Sequence, residues 1–553
     1  MATEAHSDPT GGRPRDRQAD LLGADRDPAH LLKRFRKAKE RRAAWESHWQ
    51  ECYDYALPLR DAVLHQPTPG EKKGDRLFDG TAPDAVDQLA ASLLSELTPP
   101  WAQWFGLAAG PDLEEDERLQ AASVLEKIAT VLQSHFDRSN FAVEMHQCYL
   151  DVVTGGTASL LFEEAPPGEP SAFRFTAVPL AQVVLEEGPD GRLDVSFRRS
   201  ESTLAGLRAR FPDAELPERL FKQAEEDPEQ RFGVVEAVVP APNGHGYQFA
   251  AVLDSDGDDC ILAEGRFGRS PFINFRWLKA PGEVYGRSPV MKALPDIKTA
   301  NKVVELVLKN ATIAVTGIWQ ADDDGVLNPA NIKLVPGTII PKAVGSQGLQ
   351  PLESPGRFDI SQLVLDDLRG RIRTALLADK LGQPDAPRMT ATEVLERSAD
   401  MARLLGATYG RLQSELLTPL IMRAVAILRR RGEIADIVVD GHVVDLQYRS
   451  PLAQNQAQRD ARNMLQWLGA LAQLGPAGQQ AVDAVQAARW LGRAFNVPAE
   501  LMQQGQPGDG PAGAPADPAA LARLAGALTQ PMAGAGAPPA MPQPTEAGHD
   551  GVL

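Results

Sequence analysis

The stretch from about 289 to 314 constrains this chain more than any other. Leu294, Ile297, Val303, Val304, Leu306, Val307 and Leu308 recur there at helical spacing. The last five crowd onto more than one stripe, so a single packed face cannot cover them. Such a helix is either buried inside one subunit or packs against its own chain on one side and a neighbouring chain on another. Pro295 predicts a kink or a later start. Lys298, Lys302 and Lys309 fall at intervals of four and seven and share a polar face.

Around this helix the pattern is mixed α+β and mainly helical. Residues 1–26 are polar and rich in Gly, Pro, Asp and Arg, a flexible lead-in. Phe35, Ala38, Trp45, Trp49 and Cys52 then mark one face of a helix that Pro58 ends. Its basic run, Lys33 to Arg42, reads as a solvated face or as a phosphate-contacting patch. A second helix starts at Thr81, read as the cap of a capping box with Asp84, and stops at Pro99-Pro100. Trp101, Trp104, Phe105 and Leu107 form a strand-like segment, and helices follow at about 113–137 and 140–154. β texture covers about 157–200 and 231–278, with Asn243-Gly244 as a tight turn. Between them lies a helical interlude at 202–225, with Pro212 and Pro217 inside it. Short strands and turns occupy 315–357, and a helix follows at about 359–380. After the loop Gly382 to Met389, Thr390 and Glu393 form a capping box that launches the longest helix, to about 430, kinked near its end by Pro419. A smaller helical region spans 451–504, and the Gly/Pro/Ala/Gln-rich residues beyond 505 read as disordered.

Chemistry is mostly excluded. Hydrophobic residues make up 43% of the 553, enough for a sizeable core. Lys plus Arg number 57 against 74 Asp plus Glu, a net charge of −17, so the chain lacks the overall basic footprint of a protein that grips nucleic acid. Cys52, Cys148 and Cys260 are far apart, which argues against a disulfide framework or zinc ribbon and fits a reducing compartment. No signal peptide and no membrane span are expected. There is no Walker motif, HExxH or GxSxG, and the literal GxGxxG of Gly508, Gly510 and Gly513 follows no strand. The cluster Asp254, Asp256, Asp258 and Asp259 reads as a hairpin turn more simply than as a calcium loop. Asp322-Asp323-Asp324 reads as a turn, with magnesium binding as the alternative. By elimination this is a structural or assembly protein, with no catalytic residue, metal or cofactor expected.

Several segments, in this order, resemble the head-to-tail connector (portal) proteins of short-tailed, podovirus-type bacteriophages. They are Arg76-Leu77-Phe78-Asp79-Gly80-Thr81-Ala82, Leu97-Thr98-Pro99-Pro100, Trp104-Phe105-Gly106-Leu107 and Gly156-Thr157-Ala158. Tyr285-Gly286-Arg287-Ser288-Pro289 and Met389-Thr390-Ala391-Thr392-Glu393-Val394 complete the series. The resemblance covers roughly 28–500 and implies a ring, commonly dodecameric, at one capsid vertex, with a central channel for double-stranded DNA. It implies a wing (27–200 and 315–380), stem helices (201–230 and 286–314) and a β-rich clip between them (231–278). It also implies a tunnel loop (381–390), a long wing helix (391–430) and a crown-like region (431–504). The implied partners are further copies of itself, non-specific DNA, terminase, capsid or scaffolding protein and tail adaptors, in the virion and, during assembly, the host cytoplasm; no membrane is implied. An acidic bore would let DNA slide, guided by Arg388 in a loop shaped by Gly382, Pro384 and Pro387, and by Lys298, Lys302 and Lys309 on the stem. The competing readings are a metal-dependent nuclease or hydrolase using Asp322, Asp323 and Asp324, and a helical adaptor without ring symmetry.

Overall fold

The computed structural model describes residues 28–61, 73–110, 115–242, 246–254, 260–316, 319–321, 349–351, 358–378, 406–435, 444–448 and 463–471, with isolated positions besides. The chain divides into two compact units, residues 1–453 and 454–553; in the second, 463–471 are helical.

The first unit opens with α1 (Pro28–Ala56) and α2 (Thr81–Leu97), followed by β1 (Phe105–Ala109), α3 (Glu115–Arg138) and α4 (Phe141–Gly155). Ala82, Ala85, Val86, Leu89, Leu93 and Leu97 of α2 are all buried, as their spacing predicts. The cap differs from expectation. Thr81 is the first helical residue, with Gly80 at the cap position, and the Asp79 carboxylate accepts from the Thr81 N–H at 3.0 Å. A carboxylate two residues earlier does the same job with a full negative charge at the helix N-terminus. β1 begins later than the apolar run suggests and pairs antiparallel with β12 (Val444–Tyr448).

Two further sheets build the rest. β2 (Thr157–Glu164) lies between β3 (Phe173–Val178) and β9 (Phe272–Arg276), antiparallel to both. β4 (Val183–Glu186), β5 (Val195–Thr203), β6 (Arg231–Pro240), β7 (Tyr247–Asp254) and β8 (Ile261–Phe267) form an antiparallel meander in sequence order. The strands of 231–278 are therefore divided: β6 to β8 extend a sheet begun at Val183, while β9 joins the sheet of β2. The helical interlude between β5 and β6 is two short helices, α5 (Leu204–Arg210) and α6 (Glu218–Glu226). Pro212 disfavours helical dihedrals at Phe211, and Pro217 sits at the cap of α6, so one continuous helix cannot form.

Alternation along the meander assigns its faces. Val235, Ala237, Val239, Ala250, Val252 and Phe197 pack on Leu31, Leu32, Phe35 and Ala38 of α1. Val234, Ala251, Leu253 and Leu262 face the other way, onto Leu207, Phe211 and Leu220 of α5 and α6. Both faces are covered, which is why β6 reads as a near-continuous apolar run rather than a clean alternation. The largest cluster joins α1 to α4, the β2 sheet and the later helices. At its centre Phe136, Phe141, Phe162, Phe173 and Phe175 stack and tilt on one another with ring centroids 4.4–5.9 Å apart.

Next comes α7 (Pro289–Thr316), which begins at Pro289 and continues through Pro295 without the later start considered above. A short antiparallel pair, β10 (Trp319–Ala321) with β11 (Leu349–Pro351), precedes α8 (Phe358–Ala375). The expected longest helix is described from 406 only, as α9 (Gly406–Leu412), a π-turn (Gln413–Leu417) and α10 (Thr418–Arg431). Pro419 explains the interruption. It has no N–H for the regular i→i−4 bond, and the widened turn before it accommodates the gap. The Thr418 hydroxyl also donates to the Gln413 carbonyl at 2.9 Å.

The tightest backbone approach joins α4 to the start of α7. A Cβ on Gly286 would lie 2.1 Å from the Gly156 carbonyl oxygen, and one on Gly156, at φ +78°, would lie 2.3 Å from that of Gly286. Gly286→Ala is expected to destabilise the protein by about 1–3 kcal/mol through overpacking. Gly410→Ala, where a Cβ meets nothing within 4 Å, should be neutral or stabilising by up to about 1 kcal/mol. Thermal unfolding of the two variants side by side checks this.

Candidate functional site

Among the described residues no single pocket gathers the motifs; three of them, Arg76 to Ala82, Gly156 to Ala158 and Tyr285 to Pro289, build two anchors that hold α7. At the first, Ser288 caps the helix, its Oγ accepting from the Met291 N–H at 2.9 Å and donating to the Thr154 carbonyl at 2.8 Å. Pro289 follows at the first helical position, where a missing N–H costs nothing. The Gly286 N–H donates to Thr157 Oγ1 at 2.8 Å, and the Tyr285 hydroxyl accepts from the Leu185 N–H at 3.1 Å. Tyr285 also meets Trp49 edge-on at 4.9 Å. Gly156-Thr157-Ala158 and Tyr285 to Pro289, far apart in sequence, are thus one contact.

The second anchor lies three turns along. Asn301 on α7 is buried; its Oδ1 accepts from the Phe78 and Asp79 N–H groups at 2.6 and 3.1 Å, and its Nδ2 donates to the Arg76 carbonyl at 2.9 Å. Asp79 in turn takes Arg369 of α8 at 2.7–2.9 Å. Burial raises the Asp79 carboxyl, but the bonds from Thr81 and Arg369 outweigh it and hold the group below its ordinary value of 3.8. Asp296 near the start of α7 pairs with Arg371 near the end of α8 at 3.0 Å, which sets the two helices antiparallel.

Up to Ala300 the apolar residues of α7 (Val290, Leu294, Ile297 and Ala300) belong to the main core. Beyond Asn301 they do not. Leu306 and Leu308 are 48% and 51% exposed, and on α8 Leu363 and Val364 are 74% and 44% exposed. Val303, Val304 and Val307 are half-buried, so among the described residues the extra apolar stripe read from the sequence is left partly uncovered. Lys298, Lys302 and Lys309 sit on the exposed surface of the same helix. Lys298 pairs with Glu51 of α1 at 3.1 Å, and Lys302 and Lys309 both bind Glu305, at 2.9 and 2.5 Å. Hydrogen bonds from Lys309 and Lys302 keep the Glu305 carboxyl below its ordinary range.

The basic run of α1 is neither wholly solvated nor free for phosphate. Arg34 pairs with Glu186 at 2.9 Å, Arg36 with Asp254 at 3.2 Å, and buried Arg42 donates to the Val183 carbonyl at 2.6 Å. Asp254 also lies 3.6 Å from Arg199, at the base of the β7–β8 hairpin. Gly382, Pro384, Pro387 and Arg388 lie outside the described residues, as do Asp256, Asp258, Asp259, Asp322, Asp323, Asp324, Thr390 and Glu393. Among the described residues no cluster of three or more His, Cys, Asp or Glu is placed to hold a metal, and no helix is long and apolar enough to cross a membrane.

Four residues escaped the sequence reading as anchoring groups. Asp79 and Asn301 left a trace, a carboxylate two residues before a helix start and a lone amide in an apolar run; Arg369 left none. Another is Arg276, with no exposed surface, which donates to Glu415 of the π-turn through Nη2 at 2.7 Å and to the Gly191 and Val284 carbonyls at 2.9 and 3.0 Å.

Fold and anchors define an α+β structural protein with a helix pair left partly uncovered. The chain belongs to the bacteriophage head to tail connecting protein family, whose model matches residues 28–502. It is similar to the probable portal protein of Bordetella phage BPP-1 (26% identical, covering 83% of this chain and 85% of the relative). It is also similar to the portal proteins of Salmonella phage epsilon15 (24%; 83% and 85%) and Escherichia phage T7 (20%; 73% and 75%). Among solved structures, a chain from the virion of a native gene transfer agent particle matches at 14% identity and a TM-score of 0.34 (80% of this chain, 99% of that one).

Asp79→Asn keeps the shape of the second anchor but removes the charge facing Arg369. Because Arg369 is partly solvated, the expected cost is about 1–3 kcal/mol. In the wild type the Asp79 contribution is fully present above the unfolded carboxyl value and is lost as pH falls through the lower folded value, so the variant's deficit should shrink in acid below about pH 4. Thermal midpoints of both proteins across that range measure it.

Proposed function

We propose that this chain is one subunit of a phage portal: a closed ring at a capsid vertex through which double-stranded DNA enters and leaves, non-enzymatic, with terminase and then tail adaptors docking on it and capsid or scaffolding protein around it. The observation that carries the reading is family membership over 28–502 together with relatives named portal proteins over most of their length. The physical support is the uncovered apolar surface on α7 and α8. A closed ring of identical subunits uses two different complementary faces, so each chain must present apolar surface that its own core does not use.

The stem is proposed to be the antiparallel pair α7 and α8, with 317–357 between them as the clip. α5 and α6 have 7 and 9 residues, about 10–14 Å of helix, whereas α7 and α8 have 28 and 18. β6 to β8 continue the sheet of β4 and β5, which favours a place for 231–267 in the wing with 27–200. The loop 381–390 then follows α8 as the tunnel loop, with Arg388 as its guiding cation, 391–430 as the long wing helix and 431–504 as the crown. Lys298 takes Glu51, and Lys302 and Lys309 share Glu305, so the positive charge these three lysines offer a duplex is partly offset. A dodecamer is the proposed stoichiometry, in the virion and before that in the host cytoplasm.

Light scattering of the purified chain should give a particle about twelve times 59.7 kDa; a species of one or two chains under assembly conditions refutes the ring. Leu306→Glu with Leu363→Glu should leave the fold intact and abolish that particle. Arg388→Glu should assemble normally but yield heads poor in DNA; heads filled as in the wild type would remove Arg388 from the mechanism.

A further inference from the structure

Where α10 ends against the β8–β9 turn, a cavity of about 390 Å3 opens, lined by Arg269, Arg423, Arg429 and Arg430 with Phe267 and Ile427. Its volume lies in the roughly 300–1,000 Å3 range of small-ligand pockets. Arg423 is the built part. It is 6% exposed, held flat by Nε donating to the Phe162 carbonyl and Nη1 to the Arg269 carbonyl, both at 2.7 Å, and its guanidinium lies over the Phe162 and Phe267 rings at 5.6 and 5.3 Å. The third nitrogen, Nη2, has no hydrogen-bond partner among the described residues and is not sealed from the cavity.

The charge does not balance. Glu163 and Glu164 are the carboxylates that act on Arg423, and Glu164 is already engaged by Arg430, while Arg431 pairs with Glu433 at 2.8 Å. Among the described residues, the guanidinium groups of Arg269, Arg423 and Arg430 meet these two acids at the cavity. Burial, then the nearby Arg430, push the Arg423 guanidinium down to about 10, with Glu163 and Glu164 acting against the shift. Arginines near a helix C-terminus are partly matched by its dipole, but that partial charge is worth about half a unit, short of the excess. Planar guanidinium forks converging on one space suit a tetrahedral oxyanion that brings one to two negative charges.

We propose that this cavity is a binding site for a phosphate-class oxyanion, either free phosphate or a phosphodiester of nucleic acid. The site itself does not depend on the portal reading.

The test uses full-length protein in chloride buffer of fixed ionic strength, titrated calorimetrically with inorganic phosphate and, separately, with short duplex DNA. The variant is Arg269→Gln with Arg430→Gln, both exposed at the rim, so that Arg423 and its carbonyl bonds stay in place. Thermal midpoints in phosphate-free buffer confirm that the variant folds. Phosphate binding weakened by roughly tenfold or more per arginine assigns free anion. A duplex affinity whose log–log salt slope falls by about two assigns the phosphodiester. Equal behaviour of wild type and variant in both titrations overturns the proposal, including the case in which an acidic side chain of a second copy fills the cavity. Because both titrations are read whatever the oligomeric state, failure here and failure to form a ring are separate results.

Discussion

The course of α7 depends on two backbones touching without side chains between them. Gly156 and Gly286 bring their carbonyls into each other's Cβ space, and only because both lack a Cβ can the Thr157 hydroxyl, the Ser288 cap and the Tyr285 ring close around the contact. The exit direction of α7 is set there. Asn301 and Asp79 then fix it a second time, farther along, by tying α7 to the loop before α2 and to α8. Two anchors are enough to aim a rigid rod, which leaves the remainder of α7 free to keep apolar residues out of its own core.

Polar groups perform much of this work from buried positions, in a chain whose net charge is −17. Arg42, Arg276 and Arg423 are each inside, and each meets backbone carbonyls as well as carboxylates or rings. A guanidinium can satisfy several acceptors in a plane, so it bridges elements from different parts of the sequence where an apolar side chain could only fill space. Among the described residues the buried charges balance, Asp79, Asp151 and Glu236 lying inside beside these three arginines, so the interior carries none of the acidic excess.

Much of the fold was legible because it rests on periodicity. The stripe of α2, the face of Phe35 to Cys52 and the meander flanking Asn243-Gly244 follow from spacing alone, and the surplus apolar stripe of α7 was visible before any partner was in view. What could not be read depends on long-range pairing. Nothing local says that β9 leaves the meander to join β2, or that Asp79 will meet Arg369 nearly three hundred residues later. The interlude of 202–225 is helical, as its spacing indicates, and its two prolines divide it into two short helices. Three of the motifs carrying the family resemblance proved to be joints between elements, which is why they pointed to a family more readily than to a chemistry.

The π-turn at Gln413–Leu417 has a geometric consequence. One residue more than a regular turn requires sits in it, and each residue of an α-helix advances the side chains by about 100°. The turn therefore sets the angular phase between two halves of one rod: Glu415, clasped by Arg276, marks the zero, and Arg423, Arg430 and Arg431 are dialled from it toward Phe162, Glu164 and Glu433. Shortening the coil by that single residue would swing the whole terminal segment through more than a quarter revolution, leaving its guanidinium groups facing the wrong quadrant while every amino acid that makes them remained present.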